Sequence, residues 1–152
     1  MSKTKTKLHE SLKFWLVELG ASQKDKHKQY YRCYSGDGEP VIAQLKRRQI
    51  AYHPDVVWEH PGQSVVFELA FTEDWRAIAG EVLLAALSRK AAKVFIITNY
   101  EDPAVSSMVS ILYDWTKEQD LLKWGCEHIV VTGVEDAKRK LRRSLRDRGY
   151  IW

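Results

Sequence analysis

Lys93-Val-Phe-Ile-Ile-Thr98 constrains the fold more than any other stretch of the chain. Val94, Phe95, Ile96 and Ile97 follow one another without a polar break. Such a run cannot alternate between core and solvent, so the strand it forms is buried on both faces. A strand of that kind belongs inside a sheet with helices packed on either side. The flanking sequence supplies the helices. Trp75, Ile78, Ala79, Val82, Leu83 and Ala86 recur at helical spacing before it, and Ile111, Leu112 and Trp115 after it. Thr72 can cap the first of these, with Glu73 and Asp74 favourable in its opening turn. Pro103 suits the start of the second.

The rest of the chain extends this pattern. Leu8, Leu12, Trp15, Leu16 and Leu19 mark an opening helix that Gly20 can terminate. Ser22 to Lys28 is polar and reads as a loop, and Gln29 to Tyr34 is rich in strand formers. After the turn cluster Ser35 to Pro40 comes a weaker strand, Val41 to Leu45. Ile50 to Glu59 and Gln63 to Phe71 then read as a hairpin, with Pro54 marking an edge or a bulge in its first strand. Glu127 to Thr132 is the last strand, broken by Gly133. A basic helix follows, with Ala137, Leu141 and Leu145 facing inward. The sequence therefore predicts an α/β fold of three layers, α/β/α, around a mixed sheet. Val65 to Ile97 forms a right-handed parallel crossover in it.

Length and composition limit the alternatives. A chain of 152 residues, 45% hydrophobic and 29% charged, suits one soluble domain, here 8–152 behind a disordered basic tail, 1–7. No apolar run approaches the roughly 20 residues of a membrane span, so no membrane partner is expected. Met1 to Lys7 is basic but lacks the apolar stretch of a secretory signal, and a cytoplasmic location is the expectation. Cys33 and Cys126 then read as free thiols. No pair among His53, His60, Cys126 and His128 has a strong zinc-ligand spacing. The net charge of +4 and pI near 9.0 are compatible with a polyanionic partner. Two clusters carry that charge. Lys46, Arg47 and Arg48 precede the hairpin, placed either to contact a phosphate backbone or to guard a sheet edge. Lys138, Arg139, Arg142, Arg143 and Arg146 line the last helix, as nucleic-acid contacts or as a solvated face. The apolar end, Tyr150-Ile-Trp152, docks on the core or on a second subunit, which would make a homodimer.

Chemistry is signalled by two acids. Asp55 lies in Ile50-Ala-Tyr-His-Pro-Asp-Val-Val-Trp58 and Glu68 in Ser64-Val-Val-Phe-Glu-Leu-Ala70. Laid antiparallel, these strands bring the carboxylates together, as binding of a hard divalent cation requires. The bland alternatives are a turn residue after Pro54 and a sheet-edge glutamate paired with a cation. Yet acids are seldom buried without a partner, and Glu68 sits inside an apolar run.

The order of elements, with Asp55 after Pro54 and Glu68 on the next strand, resembles the PD-(D/E)xK nuclease superfamily over roughly Leu8 to Thr98. The resemblance implies a restriction-endonuclease-like fold and a nucleic-acid-binding protein, with DNA favoured over RNA. It also implies Mg2+- or Mn2+-dependent phosphodiester hydrolysis. Asp55, Glu68 and the Leu69 carbonyl would be the metal ligands, with Glu18 or Glu10 the acid of the first helix. The motif lysine is absent, because its position is Ala70. Arg76 is the nearest helical cation that could stand in for it, and Glu81 is an acid further along the same helix. With the lysine gone, the alternative is a non-catalytic binding or assembly subunit of the same fold.

Overall fold

The computed structural model describes residues 3–23, 30–36, 41–45, 47–60, 64–71, 74–87, 91–118 and 125–151. Along the chain come α1 (Lys3–Ala21), β1 (Arg32–Tyr34), β2 (Val41–Leu45), β3 (Arg48–Tyr52), β4 (Val56–Glu59) and β5 (Ser64–Leu69). Then follow α2 (Trp75–Leu87), β6 (Ala91–Thr98), α3 (Pro103–Glu118), β7 (Gly125–Val130) and α4 (Val134–Asp147). The fold is α/β with a five-stranded mixed sheet ordered β1-β4-β5-β6-β7. β1, β4 and β5 pair antiparallel, whereas β5, β6 and β7 run parallel. Among the described residues no helix is long and apolar enough to cross a membrane. α1 begins inside the basic segment expected to be a tail.

Val94, Phe95, Ile96 and Ile97 are fully buried, and they feed two cores in alternation. Phe95 and Ile97 face α1 and α4, where Leu12, Leu16, Leu141 and Leu145 pack with Trp58 and Phe67. Phe67 and Phe95 stack there with centroids 5.3 Å apart. Val94 and Ile96 face α2 and α3, against Ile78, Val82 and Val105. The continuous apolar run is thus what a sheet covered on both sides demands.

Three local expectations change. Pro54 divides the long first strand of the hairpin in two. β3 leaves the main sheet and pairs only with β2, while β4 pairs with β5. Proline has no N–H to give to a ladder, so the chain turns there. Thr72 and Glu73 lie outside the described residues, and Asp74 provides the α2 cap. Its Oδ1 accepts from the Arg76 and Ala77 amides at 3.0 and 3.1 Å. Gly20 lies within α1 rather than ending it. A Cβ there would stand 2.5 Å from Nε1 of Trp58, whose indole is fully buried and donates to the Leu16 carbonyl. Replacing an exposed helical glycine by alanine gains about 0.8–1.0 kcal/mol in propensity. At Gly20 the overlap outweighs that gain. Gly20→Ala is expected to destabilise by about 1–3 kcal/mol, the usual cost of overpacking, read from urea unfolding.

α4 ends on Gly149, whose φ of +76° suits a residue without a Cβ. The Tyr150 amide donates back to the Leu145 carbonyl at 2.8 Å, closing the helix and turning the chain inward. Tyr150 and Ile151 pack on the chain's own core, and Tyr30 donates its hydroxyl to the Tyr150 carbonyl. Trp152 lies outside the described residues.

Candidate functional site

The β4–β5 register brings the two acids together. Val56 pairs with Phe67, so Asp55, one residue earlier, stands opposite Glu68, one residue later. The two side chains are near enough for Asp55 to act on the Glu68 carboxyl. Asp55 is fixed by its neighbours on either side. The Leu69 amide donates to its Oδ2 at 2.8 Å, and His9 of α1 places Nε2 3.0 Å from its Oδ1. Glu68 shares a sheet face with Val66 and Ala70, because side chains alternate along a strand. That face carries α2. Glu68 is only 2% exposed, and Tyr52 closes over it, donating its hydroxyl to Oε1 at 3.1 Å.

Electrostatics mark the same place. Burial holds the Glu68 carboxyl well above its ordinary 4.5, and the nearby Glu81 and Asp55 charges push it further up. The Tyr52 hydrogen bond opposes this without cancelling it. Glu68 is therefore biased towards its protonated form. The hydrogen bond to Asp55 raises the His9 pKa above 6.5 despite partial burial and the positive Lys13. Lys13 itself is largely buried, with its ammonium 3.0 Å from Glu10, and Glu10 also reaches His9 at 3.5 Å.

The expected site residues divide accordingly. Asp55 and Glu68 meet, and the Leu69 backbone lies against them. Glu81 is close enough to act on Glu68. Glu18 is exposed on α1. It lies nine residues beyond His9, about 13 Å along the helix and two and a half turns round it, so on the opposite side. Glu10, the other first-helix acid considered, joins only through His9. Arg76 does not reach the acids. It is exposed, 3.4 Å from Asp74 and 5.2 Å from the Trp75 ring centroid. Ala70 is fully buried in the α2 core, so the lysine position of the motif is filled by packing. His9, Lys13 and Tyr52 were not anticipated. The available signals were weak: His9 and Lys13 lie one turn apart beside the Leu12–Leu16 stripe, and Tyr52 is a large polar-tipped residue just before Pro54.

The cationic groups lie elsewhere. Lys46 falls outside the described residues, and Arg47 and Arg48 are exposed at the β2–β3 turn. Lys138, Arg139, Arg142, Arg143 and Arg146 line one shallow depression along α4. Part of that charge is used locally. Lys138 pairs with Glu135 at 3.9 Å, Arg139 with Asp136 at 2.5 Å, and Arg142 lies 5.3 Å from the Trp15 ring centroid. α4 packs on the sheet face opposite the one carrying Glu68. This basic surface and Glu68 therefore lie on opposite faces of the sheet.

Hard carboxylate and carbonyl oxygens suit Mg2+ or Mn2+. Among the described residues no three His, Cys, Asp or Glu side chains converge as a ready-made cage. Mg2+ does not need one, since it commonly keeps waters and takes one or two carboxylates with substrate phosphate oxygens. Each carboxylate oxygen has two lone pairs, so the contacts to Leu69 and His9 leave Asp55 with donor capacity. The donor set of Asp55, Glu68 and the Leu69 carbonyl thus fits such an ion, provided Glu68 gives up its proton. Comparison with protein families, curated proteins and solved structures yields no match to the chain.

Proposed function

We propose that the chain is a nucleic-acid-binding protein of the PD-(D/E)xK nuclease type, hydrolysing phosphodiester bonds with Mg2+ or Mn2+ at Asp55 and Glu68. The observation carrying this reading is the antiparallel β4–β5 register, which sets Asp55 opposite the buried Glu68. The order α1, β1, β4, β5, α2, β6 supports it, being a helix, an antiparallel meander, a crossover helix and a parallel strand. The sequence resemblance implies a restriction-endonuclease-like arrangement, and this order is compatible with it.

Asp55, Glu68 and the Leu69 carbonyl would hold the ion. When bound, such an ion supplies an acidified water and offsets charge on the phosphate. The chain's own groups prepare the site. His9 and the Leu69 amide orient the Asp55 carboxylate, and Tyr52 and the surrounding core keep bulk water from Glu68. Lys13 supplies positive charge from the α1 side in a region whose lysine position, Ala70, is apolar. Cleavage is expected to be slow, because no cation occupies that position. The same observation, with Glu68 closed beneath Tyr52, favours a second reading in which the fold binds nucleic acid without turnover.

A cleavage assay separates the two. Short DNA and RNA substrates are incubated with the full chain in Mg2+, Mn2+ or chelator. Metal-dependent products that vanish in Asp55→Ala and Glu68→Ala support hydrolysis. Undiminished cleavage by both variants overturns it. Salt-sensitive binding without metal-dependent turnover assigns the second reading.

A further inference from the structure

The β2–β3 ribbon is not part of the main sheet. Its outer strand is exposed at Arg48, Gln49, Ile50 and Ala51 in succession, so both faces of β3 meet solvent. Ile50 is 55% exposed and Ile42 42%. An isolated two-stranded ribbon is marginal in water, and exposing its aliphatic residues gains it nothing. Its root, by contrast, is anchored. Ala43 and Tyr52 are buried, Val41 packs on the α2 core, and Tyr52 bonds Glu68. The far end carries the exposed Arg47 and Arg48, and the Gln44 and Gln49 amides meet across the ribbon at 3.3 Å.

We propose that the ribbon is an arm that enters the major groove of double-stranded DNA and leads its backbone to the acid pair at the arm's root. This rests on the nucleic-acid reading above and names the substrate class. A polyanion is repelled by the carboxylates of Asp55 and Glu81, so it needs a positive foothold nearby. The arm provides one: at about 3.4 Å per residue, Arg48 lies about 14 Å along β3 from Tyr52. The major groove of B-form DNA, about 12 Å wide, admits a two-stranded ribbon, whereas the deep, narrow groove of A-form RNA does not. The exposed residue types match the base edges of that groove. Arginine pairs with guanine, glutamine with adenine, and aliphatic groups contact the thymine methyl. The competing occupant is a second copy of the chain added along the free edge of β3.

The test is fluorescence anisotropy with the full chain in chelator, so that no substrate is cut. Probes are a duplex DNA, the duplex RNA of the same sequence and the single DNA strand, each over a KCl series. The arm predicts preference for duplex DNA. Arg47→Ala with Arg48→Ala should weaken that binding at least about tenfold and reduce the salt slope by about 1–2. Gln49→Ala with Ile50→Ala should flatten discrimination between A·T-rich and G·C-rich duplexes. Equal affinity for duplex RNA, or an unchanged Kd after the arginine substitutions, overturns the proposal. So does concentration-dependent dimerisation that Ile50→Lys abolishes while DNA affinity stays the same. If Lys138→Ala with Arg142→Ala removes binding and the arm variants do not, the nucleic-acid reading stands and the arm falls. If the wild-type chain binds none of the probes, both fall.

Discussion

Glu68→Gln should make the protein more stable and less active at the same time. Glu68 is buried, and its carboxyl is held above the ordinary 4.5, so folding keeps a proton that the unfolded chain would release. Below pH 4.5 both states carry the proton and the side chain has no pH-dependent effect. As pH rises through the folded value, the unfolded state binds fewer protons than the folded one, and stability falls. Glutamine has no proton to lose. Its carbonyl can accept from Tyr52 and its amide can donate to Asp55, reproducing the neutral acid. The variant should therefore match wild type in acid and exceed it at neutral and alkaline pH, on the order of 1–3 kcal/mol, the usual scale for a poorly satisfied buried polar group. At about 2–4 °C per kcal/mol for a chain of this size, thermal unfolding across a pH series resolves the difference. The same variant removes one proposed metal ligand, so metal-dependent cleavage should drop by orders of magnitude. A pH-independent difference in Tm would sink the assignment of Glu68 as the buried proton holder.

That opposition explains which parts of the site were legible beforehand. An acid between Phe67 and Leu69, in a run otherwise fit for burial, breaks the local rule of its strand, and such breaks mark function. Asp55 was legible for a related reason, because the hairpin pairing alone sets it opposite Glu68. Val94 to Ile97 declared a doubly covered strand by the absence of alternation. The features that stayed hidden depend on distances that period and composition do not encode. Alternation says which face a residue takes but not which sheet its strand joins, so the departure of β3 at Pro54 could not be read. A histidine on a helix flank has no signature until the helix is docked, and His9 gains its role only because α1 sets it against Asp55. Arg76 looked available because its nearest competitor is so close in sequence. Asp74, two residues earlier, caps the helix and holds the guanidinium as well. Gly20 read as a terminator, since glycine often ends helices, yet its purpose is the Trp58 indole packed against it.

Asp55→Asn should separate the charge of the site from its hydrogen bonds. The asparagine carbonyl can still accept the Leu69 amide, so the end of β5 keeps its fastening. What disappears is the negative charge beside His9. Hydrogen bonding to Asp55 is the main cause raising His9 above 6.5, and burial and Lys13 both act the other way. Without the carboxylate, those two should carry His9 below its ordinary value. The sign of the pH dependence then reverses. In wild type the stabilisation from His9 is fully present below pH 6.5 and is lost as pH rises through the raised folded value. In Asp55→Asn the folded state holds its proton less tightly than the unfolded chain, so the His9 contribution to stability increases with pH over the corresponding window. Asp55→Ala goes further and leaves the Leu69 amide without its acceptor, at an added cost of about 1–3 kcal/mol. An NMR titration of the His9 ring, with urea unfolding on either side of pH 6.5, reads both effects. An unmoved His9 titration in Asp55→Asn would mean that the contact from α1 is not made in solution. Asp55 would then be free to meet a cation without displacing His9, and α1 would have no part in preparing the site.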